Sequence, residues 1–170
     1  MNIPFYQFLV WLSQPLWFAL PIYSANLIPL LSRKLNFLNY PLDFNLKLKN
    51  KPLFGAHKTW RGLILGTLSA GLIASLQKGV FFQGIILGLA TISGDLFGAF
   101  IKRRLAISPG EKNVLLDRFF DSIFALLTAY FFGFLPLSFT QCLYLVLISA
   151  CLNKIANTCW FLLKIKENPW

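Results

Sequence analysis

Acid is what this chain has least of: six of its 170 residues are Asp or Glu, against 16 Lys and Arg, a formal net charge of +10. It has one His and three Cys. No HExxH, no Walker glycine-rich loop and no nucleophile–His–acid set can be assembled, which excludes zinc hydrolase, P-loop and triad chemistry. Cys142, Cys151 and Cys159 are odd in number and form no CxxC pair. A disulfide framework or zinc site is excluded, and the three read as small apolar filler. No Lys or Arg precedes Arg33. A secretory signal needs a positive n-region, so the apolar N-terminal stretch reads as a retained helix. In a soluble protein such basic excess would point to nucleic acid. No nucleic-acid module is present, so topology and anionic lipid or phosphate ligands account for it instead.

Apolar sequence is abundant. The chain is 56% hydrophobic, with 18 Phe and five Trp, and its mean hydropathy is +0.63. This predicts an all-α integral membrane protein, a single membrane-embedded domain over 1–170. Five apolar segments stand out, roughly Phe5–Leu31, Gly62–Gln77, Gly79–Ile101, Phe119–Leu137 and Phe139–Leu163. A span needs about 20 residues. The second is short, and a re-entrant pair made with the third is its alternative. Seven of the 16 cations lie between Arg33 and Arg61 and five between Lys102 and Arg118, with Lys164 and Lys166 after the last segment. The positive-inside rule puts both long loops and the C-terminus in the cytoplasm, and the N-terminus and Lys78 outside. Lys154, inside the fifth segment, would pair with an aspartate, line a polar cavity or reach an interface. Gly62/Gly66, Gly84/Gly88 and Gly94/Gly98 recur at the spacing that lets helices approach closely. Phe44–Lys51 alternates apolar and polar with a turn candidate at Asn50, as in a short hairpin or an unpaired basic loop.

Carboxylates beside a bilayer are costly unless paired, and are functional candidates by default. Asp95, Asp117 and Asp121 lie within 27 residues, interleaved with Lys102, Arg103, Arg104, Lys112 and Arg118. Asp95 and Lys102 are two helical turns apart, and Asp117 and Asp121 share a face. Oxygen ligands of this kind suit magnesium, and the cations suit phosphates. The plainer reading, acid–base pairs that only stabilise packing, fits any one aspartate better than all three. A second cluster is Phe54-Gly-Ala-His57-Lys58-Thr59-Trp60-Arg61-Gly62. Thr59 is a candidate N-cap, and a helix start flanked by Lys and Arg is an anion site; interfacial anchoring by Trp60, Lys58 and Arg61 is the alternative. His57 is either a phosphate contact or general base or, more commonly for a lone loop histidine, neither.

At these residues a resemblance becomes specific. Asp95 to Ser122 resembles the signature of cytidylyltransferases that form CDP-activated lipids, in which Gly-Asp-Leu leads to Lys-Arg and ends in Asp-Arg-x-Asp-Ser. Lys58-Thr-Trp-Arg-Gly62 resembles that superfamily's Lys-Thr-Trp-(Glu/Arg)-Gly. Tyr23-Ser-Ala-Asn26-Leu-Ile-Pro29, Pro41-Leu-Asp43-Phe44 and Phe54-Gly55 resemble the short CDP-archaeol synthase branch. Three features depart from the pattern. The last two aspartates are four apart rather than three, Glu111-Lys-Asn113 stands where phosphatidate enzymes carry His-Gly-Gly, and the glycine expected near Asn50 is missing.

The resemblance implies a five-span enzyme of the cytoplasmic membrane that joins CTP to an isoprenoid glycerol-ether phosphate and releases pyrophosphate. It implies Mg²⁺ on Asp95, Asp117 and Asp121, with Lys102 completing the catalytic set. Phosphate and substrate contacts would come from Lys58, Thr59, Arg61, Arg103, Arg104 and Arg118, and from Asn26 and Asp43. Phosphatidate cytidylyltransferase, with an ester lipid, is the alternative inside the enzyme class. Outside it stands a transporter or an anionic-lipid-binding membrane protein, which would carry cations without the ordered aspartates.

Overall fold

The computed structural model describes residues 4–77, 79–107 and 119–162. Lys78, Glu111, Asn113, Asp117 and Arg118 lie outside them, as does the side chain of Lys154. The described residues form six α-helices, a short 3-10 turn at Ser32–Lys34 and one small hairpin. The helices are α1 (Phe5–Phe18), α2 (Leu20–Leu31), α3 (Trp60–Leu76), α4 (Phe81–Arg104), α5 (Phe120–Phe131) and α6 (Phe139–Leu162). The hairpin pairs β1 (Lys47–Leu48) with β2 (Lys51–Pro52), antiparallel. Each of the five apolar segments carries helix, and the first carries two. Among the described residues, α4 is long and apolar enough to cross a membrane, and so are α1 and α2 taken as one pair bent by 42°.

Three prolines shape that pair. A proline has no N–H for the carbonyl four residues back, which is left without its helical donor. Pro15 frees the Trp11 carbonyl, and the Gln141 amide of α6 takes it at 3.3 Å. Pro21 frees the Trp17 carbonyl at the bend, and Gln77, just past the end of α3, takes it at 2.5 Å. Pro29 frees the Ala25 carbonyl, which lies against Gly66 of α3, where a Cβ would come within 2.5 Å of the oxygen. Only glycine allows that approach. Where water is absent, freed backbone groups must be met by neighbouring helices. Here glutamines from distant segments meet the first two, and the third lies against Gly66.

The core is built from small side chains. Ala25, Ala70, Ala125 and Ala129 are fully buried, with Ile22 and Leu145 among the larger ones. Gly62 and Gly66 lie at the α2–α3 contact, and Gly84 and Gly88 at the α3–α4 contact, as their spacing predicts. α5 stops at Phe131 instead of running to Leu137. Gly133 adopts φ +72°, and the Phe134 and Gly133 N–H groups return to the Ala129 and Tyr130 carbonyls, a left-handed cap that ends a helix.

Candidate active site at the helix ends

The loop before α3 is folded by one acid. Asp43 is 4% exposed and accepts the N–H groups of Asn45 (3.0 Å), Phe54 (3.0 Å) and Gly55 (3.1 Å). Burial alone would raise its pKa; these donors outweigh it and hold the carboxyl below its ordinary value. Gly55 turns at φ +101°. The returning strand is then stitched to residues 38–42. The Leu42 N–H donates to the Lys58 carbonyl at 2.7 Å, Trp60 N–H to Tyr40 at 3.1 Å and Arg61 N–H to Leu38 at 3.0 Å. Thr59 caps α3, its hydroxyl accepting the Gly62 N–H at 3.3 Å, as expected of Ser or Thr at that place.

So held, Lys58 reaches α4. Its Nζ lies 2.5 Å from Asp95 Oδ2 in an ion pair whose side chains are 29% and 40% exposed. One residue earlier, Gly94 faces the start of α5, where a Cβ would sit 2.3 Å from the Phe120 carbonyl and 2.8 Å from Asp121 Cα. The two helices touch through this glycine, and Phe97 packs on Phe120 and Phe124 beside it. The contact brings the segments that carry Asp95 and Asp121 together. Asp121 is buried. Its Oδ2 accepts the Asn26 amide of α2 at 2.8 Å, and its Oδ1 the Ser122 N–H at 2.7 Å. One turn before Asn26, the Tyr23 hydroxyl meets that of Ser149 at 2.9 Å, tying α6 to the same face of α2.

The other expected site residues among those described lie on the end of α4, the loop before α3 and the first turn of α3. Lys102 and Arg103 occupy the last turn of α4, with Arg103 buried. Arg104 stacks over Phe100 at 5.2 Å and donates to the carbonyls of Leu48 (2.6 Å), Lys51 (3.2 Å) and Pro52 (2.7 Å). Arg61 is buried and donates to the Leu35 carbonyl. His57 is exposed in the loop. Asn26, Lys58, Asp95 and Asp121 therefore converge from four chain segments, while Asp43, Thr59, Arg61 and Arg104 hold loop and helix start in place. Spacing alone pairs Asp95 with Lys102, and misses both Lys58 on Asp95 and Ser149 behind Tyr23. The i, i+3 placement of Tyr23 and Asn26 was the available signal for the second.

The donor set suits a hard divalent ion. Two carboxylates come from the segments that meet at Gly94, one half-exposed and one oriented by an amide, which matches magnesium's preference for a few carboxylates and retained water. No group of three or more His, Cys, Asp or Glu gathers among the described residues; the third expected carboxylate, Asp117, lies outside them.

Comparison with known proteins bears on this geometry. The family model described as CarS-like, CDP-archaeol synthase, matches residues 6–170. CDP-archaeol synthase of Methanopyrus kandleri is 36% identical over 168 residues, covering 94% of each chain. That of Thermofilum pendens is 35% identical, covering 96% of this chain and 87% of its own. A solved structure of an intramembrane enzyme for archaeal membrane lipid biosynthesis shares the fold. Its TM-score is 0.72 at 24% identity, covering 86% of this chain and 94% of that one. With nearly its whole length matched, the chain belongs to the CarS-like CDP-archaeol synthase family.

Proposed function

We propose that this protein is a membrane-embedded, Mg²⁺-dependent cytidylyltransferase. It joins CTP to an isoprenoid glycerol-ether phosphate, forming a CDP-activated lipid and pyrophosphate. The observation that carries the proposal is the meeting of the Lys58–Asp95 and Asn26–Asp121 pairs where α4 and α5 touch through Gly94. Five crossings, one per apolar segment with α1–α2 as a single bent one, would put this centre at the cytoplasmic face, with the N-terminus outside and the C-terminus inside.

In the reaction a lipid phosphate oxygen attacks the α-phosphorus of CTP in line. The new O–P bond forms as the bond to the bridging oxygen breaks, and pyrophosphate leaves with that electron pair. The nucleophile is already ionised, so no strong base is needed, and catalysis rests on positioning and charge neutralisation. Asp95 and Asp121, with Asp117, would hold magnesium, which neutralises charge on the triphosphate and its leaving group. Asn26 fixes one oxygen of Asp121 and so the direction in which the other points. Lys58 neutralises Asp95 and lies where it can pass to a phosphate oxygen. Lys102, Arg103 and Arg118 supply further positive charge toward the phosphates.

The test is CTP-dependent pyrophosphate release by pure protein in detergent, with ether and ester lipid phosphates compared side by side. Turnover with the ether phosphate and CTP supports the proposal. Turnover on the ester lipid alone would reassign the substrate, and no CTP consumption with either would overturn the reaction.

A further inference from the structure

The loop between α2 and α3 shows an apolar surface where a water-facing loop would show polar side chains. Tyr40 is 69% exposed, Phe44 66%, Leu46 60% and Leu48 46%. They lie outside the helices, so an apolar span does not account for them. The hairpin that carries two of them is preformed. Lys49 and Asn50 both adopt positive φ, 50° and 60°, the geometry of a two-residue primed turn. The three carbonyl bonds from Arg104 fix the hairpin to the end of α4.

Charge names the partner. Between Arg33 and Arg61 the sequence has seven cations and one acid, Asp43. That acid is buried with both oxygens on backbone N–H groups. The outer surface of the loop thus carries Lys47, Lys49 and Lys51 and no exposed carboxylate. Along β1, Lys47 and Leu48 point to opposite faces. Apolar and aromatic side chains rimmed by lysines, without acid, match the boundary between acyl chains and anionic headgroups.

We infer that the 35–52 loop lies in the membrane interface, its leucines and aromatics in the acyl boundary and its lysines on anionic phospholipid headgroups. Through Arg104 it would gather lipid phosphates beside the end of α4. This rests on the membrane reading above, and the experiment separates the two. Full-length protein with Cys142, Cys151 and Cys159 replaced by Ala receives one cysteine at a time: Leu46→Cys, Leu48→Cys, Phe37→Cys and, on the exposed face of α3, Leu72→Cys. Each is labelled with an environment-sensitive fluorophore. Each is then placed in nanodiscs of phosphatidylcholine and phosphatidylglycerol, with either lipid brominated near the headgroup.

At positions 46 and 48 both brominated lipids should quench, with brominated phosphatidylglycerol the stronger. In K47Q/K49Q/K51Q that preference should vanish, each lysine accounting for up to about five-fold of local enrichment. Position 37 carries the test if a hairpin variant fails to fold. Quenching at 72 without quenching at 37, 46 or 48 would overturn the interface assignment and leave the spanning helices standing. No quenching at 72 or in the loop would overturn both. Equal quenching by the two lipids in the unsubstituted hairpin would remove the anionic headgroup from the proposal.

Discussion

Asp43 and Asp121 are both buried, and they are held in opposite ways. Asp43 has both oxygens on N–H groups of its own loop. These donors cannot leave without unfolding the turn. Asp121 takes one local N–H and one side-chain amide from a distant helix, and its neighbour Asp95 is held by a lysine ammonium. Side chains can rotate and hand over a carboxylate; a loop backbone cannot. The contrast separates a carboxylate that folds the protein from a pair arranged to receive a ligand.

The largest effects should come from the second class. Asp121→Asn and Asp95→Asn keep shape and lose charge, so turnover should fall by more than about 100-fold, with little change in melting temperature for Asp95. Stopped pyrophosphate-release assays beside thermal unfolding would read both. Lys58→Ala removes one charge-assisted contact and should cost about 1.5–3 kcal/mol in CTP or lipid-phosphate binding. Unchanged kcat and KM for both substrates would return Lys58 to structural anchoring.

Asp43→Asn should act the other way, destabilising by about 1–3 kcal/mol while activity per folded molecule persists. The same residue sets a pH dependence. Its carboxyl lies below the ordinary 3.8, so its contribution is fully present above that value. It is lost as pH falls through the lower native pKa. Acid unfolding should therefore begin at higher pH in Asp43→Asn than in the parent. Smaller still, Gln77→Ala should cost about 1 kcal/mol by leaving the Trp17 carbonyl unmet. The reverse sign is expected for Asn50→Gly, which relieves a left-handed residue in the hairpin turn and should raise stability by about 0.5 kcal/mol.

One side of this contrast was legible in the sequence. Acids are rare here, so each one beside an apolar segment invites a role, and the segments of Asp95 and Asp121 do come together at Gly94. The glycine pairs forecast which helix faces touch, and Thr59 caps α3 as its position suggests. What was not legible depends on long separations. Lys58 and Asp95 are 37 residues apart, and their pairing depends on a loop folded by Asp43, which the sequence reading offers only as a substrate contact. The prolines in α1 and α2 announce freed carbonyls, but nothing local says that Gln77 and Gln141 will meet them. Helix α5 ends early because Gly133 and the backbone cap at that turn override an apolar run that reads as continuous.

The most direct test puts the two acids side by side. Asp43→Asn and Asp121→Asn are purified in one detergent, their folded fractions taken from thermal unfolding, and CTP-dependent pyrophosphate release is measured with an ether lipid phosphate. Asp43→Asn should be less stable but active, and Asp121→Asn folded with nearly no turnover. An active, merely destabilised Asp121→Asn would contradict that expectation.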